Sequence, residues 1–365
     1  MRRFILPGLL ACCLSACDRT EPEPAATVET SIDAPAALAA VLHDYFEASL
    51  ELNPLAATSI GDDRFNDRLA IPISAEHRER SLAMEQQFLE RLRDVDRALL
   101  SEQDQLSYDL FRLQREWSIE AAAFPWYLQP INQFRSFMNS FVQLGSGEGL
   151  HPFATVKDYD DWLGRVDDFN EYVDTAISNM QEGAANGIVQ PRVLMAKVVP
   201  QLESQVVDSA EESGFWAPVS NMPDDFSEED RQRLTAAYRE AIESKVIPAY
   251  TRMLNFVTDD YMAAARDTVG LGALPGGRAW YEHLVRVRTT TELTPEEIHQ
   301  IGLDEVERIH AGMRGVMEEV GFEGTLDEFF EFAATDPQFF YESPDALIQA
   351  YRDMAAEIAN ANKAL

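Results

Sequence analysis

The chain has 365 residues, 46% of them hydrophobic and 25% charged, and its 63 acidic against 30 basic side chains give a formal net charge of −33. That length suffices for one large or two ordinary hydrophobic cores, and so acidic a surface repels nucleic-acid phosphates and anionic lipid headgroups, so neither is expected as a partner. All three cysteines, Cys12, Cys13 and Cys17, lie within the first 17 residues, which excludes disulfides, cysteine-zinc sites and cysteine nucleophiles from the body of the protein.

Arg2 and Arg3 precede an apolar stretch from Phe4 to Leu14, and the run Leu14-Ser15-Ala16-Cys17 closes it. A basic start, a short greasy middle and small residues before a cysteine describe a bacterial lipoprotein signal. The stretch falls short of the roughly 20 residues that span a bilayer, and Pro7 and Gly8 interrupt it. Residues 1–16 therefore read as a signal peptide and Cys17 as the lipidated, palmitate-bearing N-terminus. Acyl chains then tether the protein to a membrane surface in the cell envelope, facing the periplasm. Asp18 is similar to the residue that retains enteric lipoproteins on the inner membrane. Residues 17–35, with prolines, acids, Thr and Ala, read as a flexible tether.

From residue 36 to 365 the apolar period is close to 3.6, and the expected fold is all-α. Leu38, Val41, Leu42, Tyr45 and Phe46 mark a first amphipathic helix that Asn53-Pro54 stops. Leu82, Phe88, Leu89, Leu92, Val95 and Leu99 predict a second helix behind a Ser74 cap; Ser101 with Asp104 opens a third, carrying Leu106, Leu110, Leu113 and Trp117. Thr155 with Asp158 starts a fourth, through Tyr159, Trp162, Val166, Phe169 and Val173, ending near Gly183. Pro191 suits a first helical position, and Pro200 is expected to kink or end that segment. Ser227 with Asp230 opens a long helix disturbed by Pro248. The glycine-rich stretches 145–149 and 270–277 follow no predicted strand and read as loops.

Thr294-Pro295-Glu296-Glu297 is a capping box with proline at N1. Ile298, Ile301, Val306, Ile309, Met313, Val316 and Val320 then line one face up to Gly321. Thr325 with Glu328 begins another helix, and Ser343-Pro344 a last one through Leu347, Tyr351, Met354 and Ile358. Residues 355–365 contain no stop signal, which reads as a polypeptide cut short, with a large apolar surface left where further helices pack.

Several segments resemble the bacterial domain-of-unknown-function 885 family: Asn53-Pro54-Leu55-Ala56-Ala57-Thr58-Ser59-Ile60-Gly61-Asp62 with Phe65-Asn66-Asp67-Arg68-Leu69, then Leu274-Pro275-Gly276-Gly277 with Tyr281, Thr289-Thr290-Thr291, and the block Thr294 to Ile309. The resemblance implies a helical, lipid-anchored or secreted protein similar to zinc-dependent peptidases, here its N-terminal portion, with a peptide as possible substrate and zinc as the cofactor of a full-length member. In that family a His-Glu-x-x-His helix puts two histidines on one face to hold zinc, with the glutamate as base, and it comes after the point where this chain stops. His43, His77, His151, His283, His299 and His310 include no such pair. Glu296-x-x-His299 and Glu307-x-x-His310 are eleven residues apart, about 16 Å along one helix, too far to share an ion. No metal site, no cofactor and no catalytic residue is therefore expected in this segment. Acidic clusters such as Asp158, Asp160, Asp161 and Asp224, Asp225 read as surface charge. The candidate substrate-cleft residues are Gly276, Gly277, Arg278, Tyr281 and His299: glycines let a peptide backbone approach, and the tyrosine offers it a hydrogen bond. The competing expectation is a non-enzymatic helical lipoprotein that acts as a scaffold or binding module.

Overall fold

The computed structural model describes residues 33–134 and 136–363. The signal peptide, Cys17, Asp18 and most of the tether lie outside the described residues. Among those described, structure is helical throughout, and the one β pairing is an isolated bridge between Pro191 and Arg266.

Helices α1 (Ala34–Leu52), α2 (Pro54–Ser59), α3 (Ala75–Arg93) and α4 (Glu102–Ala121) come first. Asp33 accepts from the Ala36 amide and Pro35 occupies the first turn, so α1 begins within the segment expected to be tether. Ser74 and Ser101 cap α3 and α4 by accepting from the His77 and Asp104 amides. Two details depart from the periodicity. α3 stops at Arg93, so Val95 enters the core from a loop and Leu99, on a separate 3-10 turn, is 64% exposed. In α4, Leu106 and Leu110 face solvent while Phe111 and Arg115 are buried. The reason is a charge inside this small core. Arg115 pairs with Glu85, which also accepts from Tyr45 at 3.0 Å, and the guanidinium stacks on Tyr45 and Phe111 at 4.0 and 4.6 Å. A buried pair must keep its partners, and that requirement turns the helix.

The larger core is built on α5 (Phe137–Gly145), α6 (Val156–Asn186) and α7 (Arg192–Glu203), then α8 (Ala217–Ser220), α9 (Glu228–Ala241), α10 (Ile247–Asn255) and α11 (Met262–Ala264). α6 runs three residues past Gly183, to a left-handed Gly187. Trp162, Val166, Phe169, Val173 and Met180 of α6 are fully buried. α7 continues through Pro200 for three more residues. From α9 to α11 the helix is continuous but widens into π turns at Ile242–Val246 and Phe256–Tyr261. Pro248 cannot donate to the Ser244 carbonyl, and the first widening lies directly before it. Asp160, Asp167 and Asp174, one every second turn of α6, pair with Arg233, Lys245 and Arg252 in the same order, so the two long helices run the same way.

Helix α12 (Gly277–Thr289) joins this body through a seam of Leu128, Ile188 and Leu274. Thr290 caps it at φ 55° and turns the chain toward α13 (Pro295–Glu319), α14 (Leu326–Thr335) and α15 (Pro344–Lys363). Both expected capping boxes, at Thr294 and Thr325, are formed. Met317 is the only buried residue in these three helices among those described. Ile301, Val306, Ile309, Val316 and Val320 form the anticipated stripe on α13, and all are more than 40% exposed.

The signature segment 53–69 is held to α6 chiefly by one side chain, Arg165. Fully buried Arg165 donates to the Arg68 carbonyl (3.0 Å), Thr58 Oγ1 (2.6 Å), the Phe65 carbonyl (3.4 Å) and His151 Nδ1 (2.8 Å). His151 Nε2 lies 2.7 Å from the Asp158 carbonyl. A carbonyl only accepts and a guanidinium only donates, so His151 is neutral with its proton on Nε2. Burial, foremost, pushes His151 down to about 4 and Arg165 down to about 10. Replacing Arg165 by leucine strands these acceptors, and unfolding titrations are expected to show a loss of at least about 3 kcal/mol. His151 gives a pH dependence. Its folded value lies below the ordinary one near 6.5, so the unfolded chain takes up the proton first, and stability complete above about pH 6.5 drains as pH falls toward 4. At pH 5 the loss is about 2 kcal/mol, and urea unfolding at pH 7 and pH 5 is expected to show a smaller drop in His151→Gln than in the wild type.

Candidate functional site

Where the smaller core meets the larger, the chain encloses a groove. Asn53 ends α1, its amide and side chain both donating to the Ser49 carbonyl, and Pro54 starts α2 in a new direction. The following segment crosses α6 without regular secondary structure from Arg68 to Ile71. Leu69 and Ile73 point into the core and Ala70 and Pro72 out of it, and the crossing is fixed by Asp168 accepting from the Leu69 amide (2.7 Å) and Asn179 donating to the Ile73 carbonyl (2.9 Å). Opposite, Pro125 precedes a 3-10 turn, Trp126–Leu128. Buried Gln190 braces the next residues by donating to the Ile131 carbonyl at 3.0 Å, and its own amide donates to the Tyr261 hydroxyl. Trp280 of α12 stacks on Phe124, and Phe137 packs on Tyr172 with ring centroids 4.8 Å apart.

These parts surround a cavity of about 660 Å³ lined by Leu55, Pro72, Ile73, Trp126, Phe137, Tyr172, Leu271, Trp280 and Leu284, with Asn53, Gln129, Asn132 and Gln190 among its polar contributors. Among the described residues no charged side chain lines it, and its wall is apolar and aromatic with a few amide groups, a surface that suits apolar groups. Burial raises the Tyr172 hydroxyl well above its ordinary range, so it stays protonated. A second basin of about 380 Å³ shares Asn53, Pro72 and Trp126 with the first and adds His77, Arg78, Glu79 and Glu85. Burial, and then the charge of Arg80, lowers His77. Glu85 is committed to Arg115 and Tyr45, whose hydroxyl burial, with Glu85, pushes up to about 12. The Arg78 guanidinium lies 3.4 Å from the Tyr127 ring centroid.

The residues singled out from the sequence gather at the start of α12. Gly276 is its left-handed N-cap at φ 68°, in open space, and Gly277 is its first residue rather than part of a loop. The close approach that Gly277 permits is internal, since a Cβ there would meet the Leu271 carbonyl oxygen at 2.0 Å. Arg278 pairs with Glu282 and Glu296, both at 2.6 Å, which ties the start of α12 to the start of α13, and Arg278 holds Glu296 down at about 2. Tyr281 is 45% exposed, and His299 is exposed one turn beyond Glu296. The cavity is lined instead by Trp280 and Leu284 of the same helix. Of the acidic clusters, Asp224 and Asp225 are surface residues, but Asp158 closes a capping box and Asp161 is buried beneath Lys157 at 2.5 Å. Sequence reasoning missed Trp126, Gln129, Phe137, Tyr172 and Gln190. The dense run Phe124-Pro125-Trp126-Tyr127, just beyond the end of a helical period, was the available signal.

Among the described residues no three of His, Cys, Asp and Glu converge as metal ligands. They therefore provide no ligand set for the zinc that the family resemblance implies. Nor is any described helix long and apolar enough to cross a membrane.

Fold and groove together define an all-helical protein with a groove walled mainly by apolar and aromatic side chains. The chain belongs to a family of bacterial proteins of unknown function, DUF885, which matches residues 54–365. No curated protein matches it. A crystal structure described as "the putative lipoprotein from Colwellia psychrerythraea" shares the fold with a TM-score of 0.75 at 20% identity over 90% of this chain. The chain spans 59% of that protein's length.

The two adjacent glycines make a discriminating pair. Gly276→Ala meets only the left-handed backbone penalty, about 1 kcal/mol. Gly277→Ala must push α12 off the Leu271 turn and is expected to cost more, about 2–3 kcal/mol, while displacing Trp280. Thermal unfolding of both variants, with tryptophan emission as a second readout, checks the order.

Proposed function

We propose that this chain forms the substrate-binding wall of a lipid-anchored, extracytoplasmic peptide hydrolase of the zinc-peptidase type, with the metal and general base supplied by protein outside these residues. The observation that carries the reading is the groove: a ring-lined cavity next to a basin holding Arg78, with no group of metal ligands among the described residues. Such a surface accepts extended apolar chains and orients them, which is the positioning half of a hydrolase's task. The exposed stripe of α13 supports a further packing layer, as does the 59% coverage of the solved relative. The envelope location rests on the Leu14 to Cys17 run and agrees with the description of that relative.

The experiment compares residues 18–365 with the complete product of the same gene for zinc content and hydrolysis of a peptide library. The expected result is substoichiometric zinc and no turnover in the former, with zinc and turnover in the latter. One tightly held zinc with peptidase activity in residues 18–365 overturns the division of labour. A complete product that holds no zinc and cleaves nothing overturns the enzyme reading in favour of a binding scaffold.

A further inference from the structure

Two hydrogen-bond donors in the groove have nothing to bond. Gln129 Nε2, in the neutral cavity, and Arg78 Nε, in the adjoining basin, are both buried, and neither has an acceptor among the described residues. Leaving a buried donor unmade is costly, and the two donors belong to adjoining recesses that share Asn53, Pro72 and Trp126.

Arg78 is the more telling of the two. In α3, α4 and the turn between them, Arg80 is exposed and forms no ion pair among the described residues, while Arg91, Arg93, Arg97, Arg112 and Arg115 each hold a carboxylate. That is the expected state where acids outnumber bases two to one. Arg78 instead rests on the face of Tyr127 and makes no ion pair among the described residues. The two acids bordering its basin do not fill the role: Glu85 is committed to Arg115 and Tyr45, and Glu79 is exposed. A guanidinium stacked on a ring is held flat and always charged, and its edge matches a planar bidentate acceptor.

We infer that the groove takes a short peptide by its free C-terminus, with the carboxylate on Arg78, a backbone carbonyl on Gln129 and an apolar or aromatic side chain in the neutral cavity. The inference rests on reading the groove as a peptide-binding wall and adds the end of the peptide that it recognises. Both unfilled donors then gain acceptors. The cavity walls of Trp126, Phe137, Tyr172 and Trp280 account for the side chain.

The test uses the purified full chain in detergent and three probes: N-acetyl-leucyl-phenylalanine, its C-terminal amide, and octanoate. Calorimetry and tryptophan fluorescence are expected to show the acid binding about tenfold or more tighter than the amide. Octanoate, which offers a carboxylate and an apolar chain but no peptide carbonyl, should bind more weakly than the acid. Arg78→Gln should remove the difference between acid and amide, and Arg78→Lys should keep part of it. Circular dichroism and the unchanged affinity of the amide report whether either variant is folded. Equal affinities for acid and amide in the wild type, an acid preference that survives Arg78→Gln, octanoate binding tighter than the acid, or no binding of any probe at millimolar concentration each overturn the inference. Failure of the hydrolase reading is distinguished by the zinc and turnover assay: an inert complete protein that still prefers the acid retains this site, whereas a hydrolase indifferent to C-terminal charge loses it.

Discussion

A single buried guanidinium organises the meeting of the two halves of this protein. Arg165 reaches from the middle of α6 into a segment about a hundred residues earlier and supplies hydrogens to carbonyls and hydroxyls that would otherwise be stranded. Among the described residues no carboxylate forms an ion pair with it; Asp161 is turned toward Lys157. Its charge is instead solvated by neutral oxygens and by a histidine whose tautomer it dictates. Remove this arrangement and the chain between α2 and α3 loses its path across α6, and with it the floor of the groove. The family-like run from Asn53 to Leu69 is thereby explained as architecture: Pro54 redirects the helix, Thr58 and the Phe65 carbonyl receive the arginine, and Leu69 docks on Asp168.

The groove follows from how these pieces terminate. Its walls come from the end of α1, the crossing segment, the 3-10 turn after Pro125, the start of α5, the middle of α6 and one flank of α12. Each contributes one to three side chains, fixed largely by hydrogen bonds to the backbone and by ring stacking. In a protein otherwise covered in acid, this leaves a recess where an apolar group is buried mainly among apolar and aromatic side chains.

Much of the fold was legible because helix starts are written locally. Ser74, Ser101, Thr155, Ser227, Thr294 and Thr325 all cap the helices read from them, since a cap needs only a hydroxyl and an amide three residues on. Helix faces were harder. The stripe Leu106, Leu110 of α4 pointed the wrong way because the Glu85, Arg115 pair, 30 residues apart in sequence, fixed the rotation instead. The end of α6 was placed at Gly183 when the left-handed residue is Gly187, because a glycine inside a helix and one beyond it look alike until the backbone is seen. The groove was not legible for a related reason. Its lining has no common period, and attention fell on Gly276, Gly277, Arg278 and Tyr281, while Trp280 and Leu284 of the same helix form the wall.

Thr290 has a wider bearing. A β-branched residue held at φ 55° sits in a narrow well, so the corner it makes behaves as a stiff joint where glycine would give a loose one. Beyond it, the 25 residues of α13 extend about 37 Å. With so rigid a bearing and so long a beam, a rotation of roughly 10° at the threonine sweeps the far tip through about 6 Å. The aim of the outer arm is thus highly sensitive to the backbone torsion of Thr290, with the Arg278 to Glu296 pair bracing the same corner.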